Sequence, residues 1–134
     1  MLIQMKILGV DYGQRKVGLA LSVGRLAYPF DVLRFKDEKE LMAKLQAVIK
    51  EEGVEKIVIG VSEGQMAEET RKFGKKLETV VKLPVEFFDE TLTTKEAQDL
   101  AIEAGIKRKK RKALEDAYAA CVILDNYLLI KGNN

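Results

Sequence analysis

The sequence predicts an α/β fold, a mixed five-stranded sheet in the order βββαβαβα with helices on both faces. Three observations carry that expectation. Residues 6–11 and 56–61 are almost continuously apolar, which suits strands buried on both faces. The first 35 residues hold three strand-like segments joined by short turns, the mark of an antiparallel meander. After them, helical periodicity alternates with strand patterns, and such crossovers require a partly parallel sheet covered by helices.

Taken in order, Lys6-Ile7-Leu8-Gly9-Val10-Asp11 is the first strand, residues 12–16 a turn, and Val17–Val23 the returning strand. A third strand, marked by Pro29, covers about residues 27–35. Asp37 followed by Glu40 is a capping-box signature, and Leu41, Leu45, Val48 and Ile49 recur at helical spacing. These predict a helix over 37–52, ended by Gly53. Lys56–Val61 reads as a buried strand and 66–82 as a helix presenting Phe73, Leu77, Val80 and Val81 on one face. Pro84–Asp89 is a further strand. Thr93 with Glu96 opens a capped helix to about Ala104, and residues 113–131 form a last helix rich in alanine. The small side chains Ala113, Ala117, Ala119 and Ala120 would let that helix approach the sheet closely.

Composition bounds the chemistry. The 134 residues read as one domain spanning 1–134, 47% hydrophobic and 33% charged, too apolar for a disordered chain. No run of 18 apolar residues and no signal-peptide pattern is present, so the expected location is the cytoplasm, away from membranes. The sole cysteine, Cys121, lies in an apolar helical pattern and has no partner for an internal disulfide. The complete absence of histidine excludes His-based nucleophile systems, His general bases and His-ligated zinc. Catalysis must then rest on carboxylates, Lys, Tyr, hydroxyls or a hard cation held by oxygen, such as Mg²⁺ or Mn²⁺.

Three acidic positions stand out. Asp11 ends the first strand, Asp89-Glu90 ends the strand that begins at Pro84, and Asp116 lies in the alanine-rich helix. Each alone has a plain structural reading: a hairpin-turn residue, acids preceding a helix N-terminus, or a helix acid paired with Lys112. Together, in this element order, they point to one site. Carboxylates set among apolar residues are costly to bury unless a cation compensates, and a divalent metal relieves their mutual repulsion. The block Lys107-Arg108-Lys109-Lys110-Arg111-Lys112 directly precedes the helix that carries Asp116. Without those six charges the net charge of +2 becomes −4, so the chain is a mildly acidic body with one basic block. Such a block could hold a polyphosphate backbone, as could Arg15 and Lys16 in the first hairpin, with Arg71, Lys72, Lys75 and Lys76 extending the surface. No phosphate-binding loop of the G-x-x-x-x-G-K-[ST] or G-x-G-x-x-G kind is present.

Ile7-Leu8-Gly9-Val10-Asp11-Tyr12-Gly13, running on to Lys16-Val17-Gly18-Leu19-Ala20, resembles the opening motif of the YqgF-type (RuvX-like) family of the ribonuclease H-like superfamily. Asp89-Glu90-Thr91-Leu92-Thr93-Thr94 with Glu96-Ala97 resembles the second motif. Asp116-Ala117-Tyr118-Ala119-Ala120 with Ile123–Leu128 resembles the third. The resemblance implies a ribonuclease H-like fold and a nuclease for Holliday junction resolution or 5′-end processing of pre-16S rRNA. It also implies acidic metal positions at Asp11, Glu90 and Asp116. The chain departs from the family pattern twice. Thr91 stands where the family has Arg, and the loop after Ile59-Gly60 carries Ser62-Glu63-Gly64-Gln65 in place of a longer Pro- and Gly-containing segment.

These readings lead to metal-assisted phosphodiester hydrolysis on a structured nucleic acid, precursor rRNA or branched DNA. Two Mg²⁺ or Mn²⁺ ions about 4 Å apart would be held by Asp11 as the bridging ligand, with Glu90 and Asp116 each completing one metal. Lys16 and residues 107–112 would grip phosphates. Strand alternation lets only one of Asp89 and Glu90 face the site, and the family pattern favours Glu90. Junction resolution favours a homodimer, whereas rRNA trimming needs only a monomer. A nucleic-acid-binding ribosome-assembly factor with little cleavage activity is the alternative. An actin-like ATP-binding protein, which shares the first motif, would need a second subdomain for which 134 residues leave no room.

Overall fold

Strand alternation divides the apolar residues between two faces of one sheet. The computed structural model of the chain describes residues 5–61, 64–89 and 114–131. Strands β1 (Lys6–Asp11), β2 (Lys16–Val23) and β3 (Leu26–Arg34) form the antiparallel meander, and β4 (Lys56–Val61) and β5 (Val85–Asp89) add in parallel. The sheet order is β3-β2-β1-β4-β5, so β1 lies at the centre. Helices α1 (Glu38–Glu52) and α2 (Gln65–Val81) cover one face, and α3 (Glu115–Lys131) covers the other.

On the α1/α2 face, Leu8, Val10, Val17, Leu19, Leu21, Ile57 and Ile59 pack with Leu41, Leu45 and Ile49 of α1 and Phe73 and Leu77 of α2. On the α3 face, Ile7, Ala20 and Val58 meet Ala120, Cys121, Ile123, Leu124 and Tyr127. Each fully buried Leu, Ile or Phe contributes about 1.5–3 kcal/mol from the area it removes from water.

The capping signature for α1 is realised. Asp37 accepts the Glu40 N–H at 2.8 Å, and Glu40 reaches back to accept the Lys36 N–H at 2.8 Å. Gly53 ends the helix in the left-handed region at φ 69°, its N–H bonded to Ile49 O. Helix α2 ends on Lys82 in the same region at φ 58°. In β5 the first ladder residue is Val85. Pro84, lacking an N–H, contributes only its carbonyl, which accepts from Ile57 N at 3.0 Å. Pro29 sits on the edge strand beside an irregularity: Leu19 pairs with Asp31 and Ala20 with Pro29, so Phe30 is the extra residue of a bulge. The helix expected to Ala104, the block 107–112 and Ala113 lie outside the described residues, as do Ser62 and Glu63.

Helix α3 approaches the sheet closely because small residues meet from both sides. A Cβ on Gly9 would stand 3.0 Å from Leu124 Cβ and 3.1 Å from Ala120 O. On Gly18 it would collide with the backbone of Asp116 and Ala117. The alanines of α3 were only half of this contact; the strand glycines are the other half. No described helix is long and apolar enough to cross a membrane.

Candidate active site

Asp11 is the last residue of the central strand, and alternation places it with Ile7 and Gly9 on the α3 face. Its partners in register are Gly18 on β2 and Gly60 on β4. Neither of these register neighbours carries a side chain. Gly18 is also the residue on which the Asp116 backbone rests. The close approach of α3 at that glycine therefore brings the first turn of the helix, and Asp116 with it, beside the end of β1. The helix N-terminus itself favours an anion there.

A cation already attends this site. Lys16, at the start of β2 and on the same face, places Nζ 3.0 Å from Asp116 Oδ2, with the two side chains 45% and 28% exposed. The Lys16–Asp116 pair joins two residues that the sequence singled out for separate roles, and nothing in their spacing of 100 positions signalled it. Arg15 is exposed in the turn, its carbonyl accepting from Phe35 N at 3.1 Å.

The residue after Asp11 fixes the strand end from the other side. Tyr12 stacks on Phe73 of α2 with ring centroids 4.6 Å apart and an interplanar angle of 24°. Burial, followed by the charges of Glu38 and Glu69, raises the Tyr12 hydroxyl above its ordinary pKa, so it remains protonated.

On β5, Phe87 belongs to the α1/α2 face. Phe88 belongs to the α3 face, where its ring meets Tyr127 edge-on at 6.2 Å. Asp89 shares the parity of Val85 and Phe87 and so falls on the face away from Asp11. Glu90 lies outside the described residues, as do Lys107, Arg108, Lys109, Lys110, Arg111 and Lys112. Among the described residues, no three His, Cys, Asp or Glu side chains converge as a metal-holding group. Of the three acids singled out in the sequence, the described residues include Asp11 and Asp116.

The α2 cations do not extend this surface, because α2 packs on the opposite face. Lys72 pairs with Glu68 at 3.6 Å and Lys76 with Glu38 at 3.0 Å, while the Arg71 guanidinium lies 5.2 Å from the centre of the Phe87 ring. A groove of about 510 Å³ between α1 and α2, floored by Met42 and Val80, also belongs to that far face. Cys121 is buried, and burial, followed by the charge of Asp125, pushes its thiol up to about 12, which disfavours the nucleophilic thiolate.

The carboxylate oxygens of Asp11 and Asp116 are the kind of donor that a hard divalent ion takes.

Comparison with known proteins agrees with this architecture. Residues 5–129 match the sequence model of the RuvX family, described as Holliday junction resolvase. A protein of Leuconostoc mesenteroides named "Putative pre-16S rRNA nuclease" is 43% identical over 139 residues, covering 96% of this chain and 97% of its own. A protein of the same name from Dictyoglomus turgidum is 39% identical over 132 residues, covering 92% and 94%. Among solved structures, Thermus thermophilus RuvC in complex with a Holliday junction substrate aligns with a TM-score of 0.65 at 16% identity, over 96% of both chains. The fowlpox virus resolvase in complex with Holliday junction DNA aligns with a TM-score of 0.66 at 13% identity, over 95% and 99%. These two share the ribonuclease H-like fold with this chain. The family match and the close relatives settle the remaining question: the chain belongs to the RuvX family of nucleases.

Proposed function

We propose that this nuclease cuts phosphodiester bonds in the precursor of 16S rRNA, using a divalent metal held by Asp11, Glu90 and Asp116. The observation that carries the metal site is the seating of the Asp116 backbone on Gly18, the register partner of Asp11. That contact joins two acids 105 positions apart at one strand end. Alternation along β5 counts against Asp89 as the third. Phe88 faces α3 and Asp89 faces away, so Asp89 is not the third acid, and the family resemblance favours Glu90.

Mg²⁺ or Mn²⁺ bound there would polarise the phosphate and lower the pKa of an attacking water. The chain's own residues do the rest. Asp11 and Asp116 present anionic oxygens on a rigid strand end and a helix start. The Tyr12–Phe73 stack holds the end of β1 against α2. Lys16, Arg15 and the block 107–112 supply cations for phosphates flanking the scissile bond. The names of the curated relatives support RNA as substrate. The family description supports the second reading, a four-way DNA junction, which would require a two-fold dimer to cut both strands.

The test is cleavage of a pre-16S rRNA 5′ leader and a matched four-way DNA junction, with Mg²⁺ or Mn²⁺, by wild type and Asp11→Asn. Wild type should cleave the leader. Asp11→Asn should lose at least the roughly 10- to 100-fold that even changes behind a metal ligand cost. Cleavage of the junction alone would reassign the substrate. Equal cleavage rates in wild type and Asp11→Asn would sink the metal mechanism.

A further inference from the structure

Lys16 opens β2 on the α3 face, two positions before the glycine that receives the Asp116 backbone, and its ammonium lies 3.0 Å from Asp116 Oδ2. An ammonium and a divalent ion cannot occupy the same approach to one carboxylate oxygen, because both are cations and both need its lone pairs. Lys16 is nearly half exposed and ends in a compact charge on a flexible four-carbon stem, so it can leave Asp116 without disturbing the sheet.

We propose that Lys16 is a resident counter-cation of Asp116, displaced when the metal binds and thereby released toward a substrate phosphate. The proposal rests on the metal reading above. It gives Lys16 a positioning role: in the metal-free protein it holds the Asp116 carboxylate and offsets its charge beside Asp11. With metal in place it becomes a cation at the rim. Because the same ammonium serves Asp116 or a phosphate but not both, metal and nucleic acid reinforce one another's binding through it, and the coupling is reciprocal.

Mn²⁺ titration, read by the loss of the free-ion electron paramagnetic resonance signal, tests this without turnover. Lys16→Gln should bind Mn²⁺ about two- to five-fold more tightly than wild type, the range that a partly exposed ion pair allows. Lys16→Arg, which keeps the cation, should stay near wild type. Arg34→Gln removes an equal charge from the register partner of Lys16 and should change affinity less than Lys16→Gln. A second measurement uses the wild-type protein alone. Acetylation of Lys16, followed by mass spectrometry, should accelerate when saturating Mg²⁺ is added. An unchanged or weaker Mn²⁺ affinity in Lys16→Gln, an equal gain in Arg34→Gln, or Lys16 acetylation indifferent to Mg²⁺ overturns the proposal. Asp116→Asn separates the two levels. If it weakens Mn²⁺ binding while Lys16→Gln leaves it unchanged, the metal site stands and the role of Lys16 falls. If Asp116→Asn binds Mn²⁺ as wild type does, both fall together.

Discussion

At the scale of single residues, position in the strand decides what a polar group costs. Asp11 and Ser22 both lie on the α3 face, at the end of β1 and near the end of β2. Asp11 ends its strand beside two glycines and remains partly exposed, so its carboxylate keeps part of its hydration. Ser22 is fully buried, and its Oγ finds no hydrogen-bond partner among the described residues. A buried hydroxyl without a partner forfeits its hydration, which costs about 1–3 kcal/mol. Ser22→Ala should therefore leave stability unchanged or raise it by up to about 1 kcal/mol, read as the denaturant midpoint at constant slope. Loss of stability would mean that the hydroxyl is satisfied. The sequence displayed Asp11 because an acid closing an apolar run is conspicuous. It could not display the burial of Ser22, since serine in a strand is equally at home facing water.

At the scale of elements, the contact between α3 and the sheet builds the site, and its tolerance is uneven. Gly9 faces Leu124 and Ala120 O at distances where a methyl group is tight, whereas at Gly18 a methyl group would overlap the helix backbone. Gly18→Ala should destabilise by at least the roughly 1–3 kcal/mol typical of overpacking, and should lose cleavage beyond what stability explains, because it lifts Asp116 away from Asp11. Gly9→Ala should cost less and preserve more activity. The measurements are thermal denaturation and cleavage rate below the transition; equal effects of the two would dissociate the helix seat from the site.

At the far end of the same helix, Lys56 and Glu86 pair at 2.7 Å beside Tyr127. The Lys56 hydrogen bond pulls the Glu86 carboxyl below its ordinary range. A depressed carboxylate pKa stabilises the fold above the unfolded value, and that contribution is lost as pH falls through the folded one. Glu86→Gln should thus lower stability near neutrality by about 1 kcal/mol or less, as expected of a partly exposed pair. The difference from wild type should close on acidification, which pH-dependent melting checks. The periodicity of Leu41, Leu45 and Ile49 and the Asp37/Glu40 cap made α1 legible in the sequence, because local forces alone specify it. The Lys56–Glu86 pair joins neighbouring parallel strands, so only sheet register creates it.

At the scale of the whole molecule, the sheet works as a partition. One face is a conventional core with α1 and α2, and the other brings α3 down on two strand glycines to meet the end of β1. A ligand that binds only this assembled arrangement must stabilise all of it. At a free Mn²⁺ concentration about 100 times its dissociation constant, folding stability should rise by roughly 2.7 kcal/mol, visible as a melting-temperature increase of several degrees. The rise should vanish with chelator and in Asp11→Asn. An equal rise in Asp11→Asn would place the ion elsewhere.

The sequence by itself determined the order of the described elements, the α/β class, the exclusion of histidine chemistry and the candidacy of Asp11 and Asp116. Each of these is written in local pattern or in composition. Tertiary structure alone decided which face each of the other candidate residues occupies. It turned Asp89 away by strand parity, carried the α2 cations to the opposite face, and drew Lys16 onto Asp116. The physical reason is that a face, unlike a helix or a cap, is a property of register and packing between segments far apart in the chain. Nothing within either segment records where the other will lie.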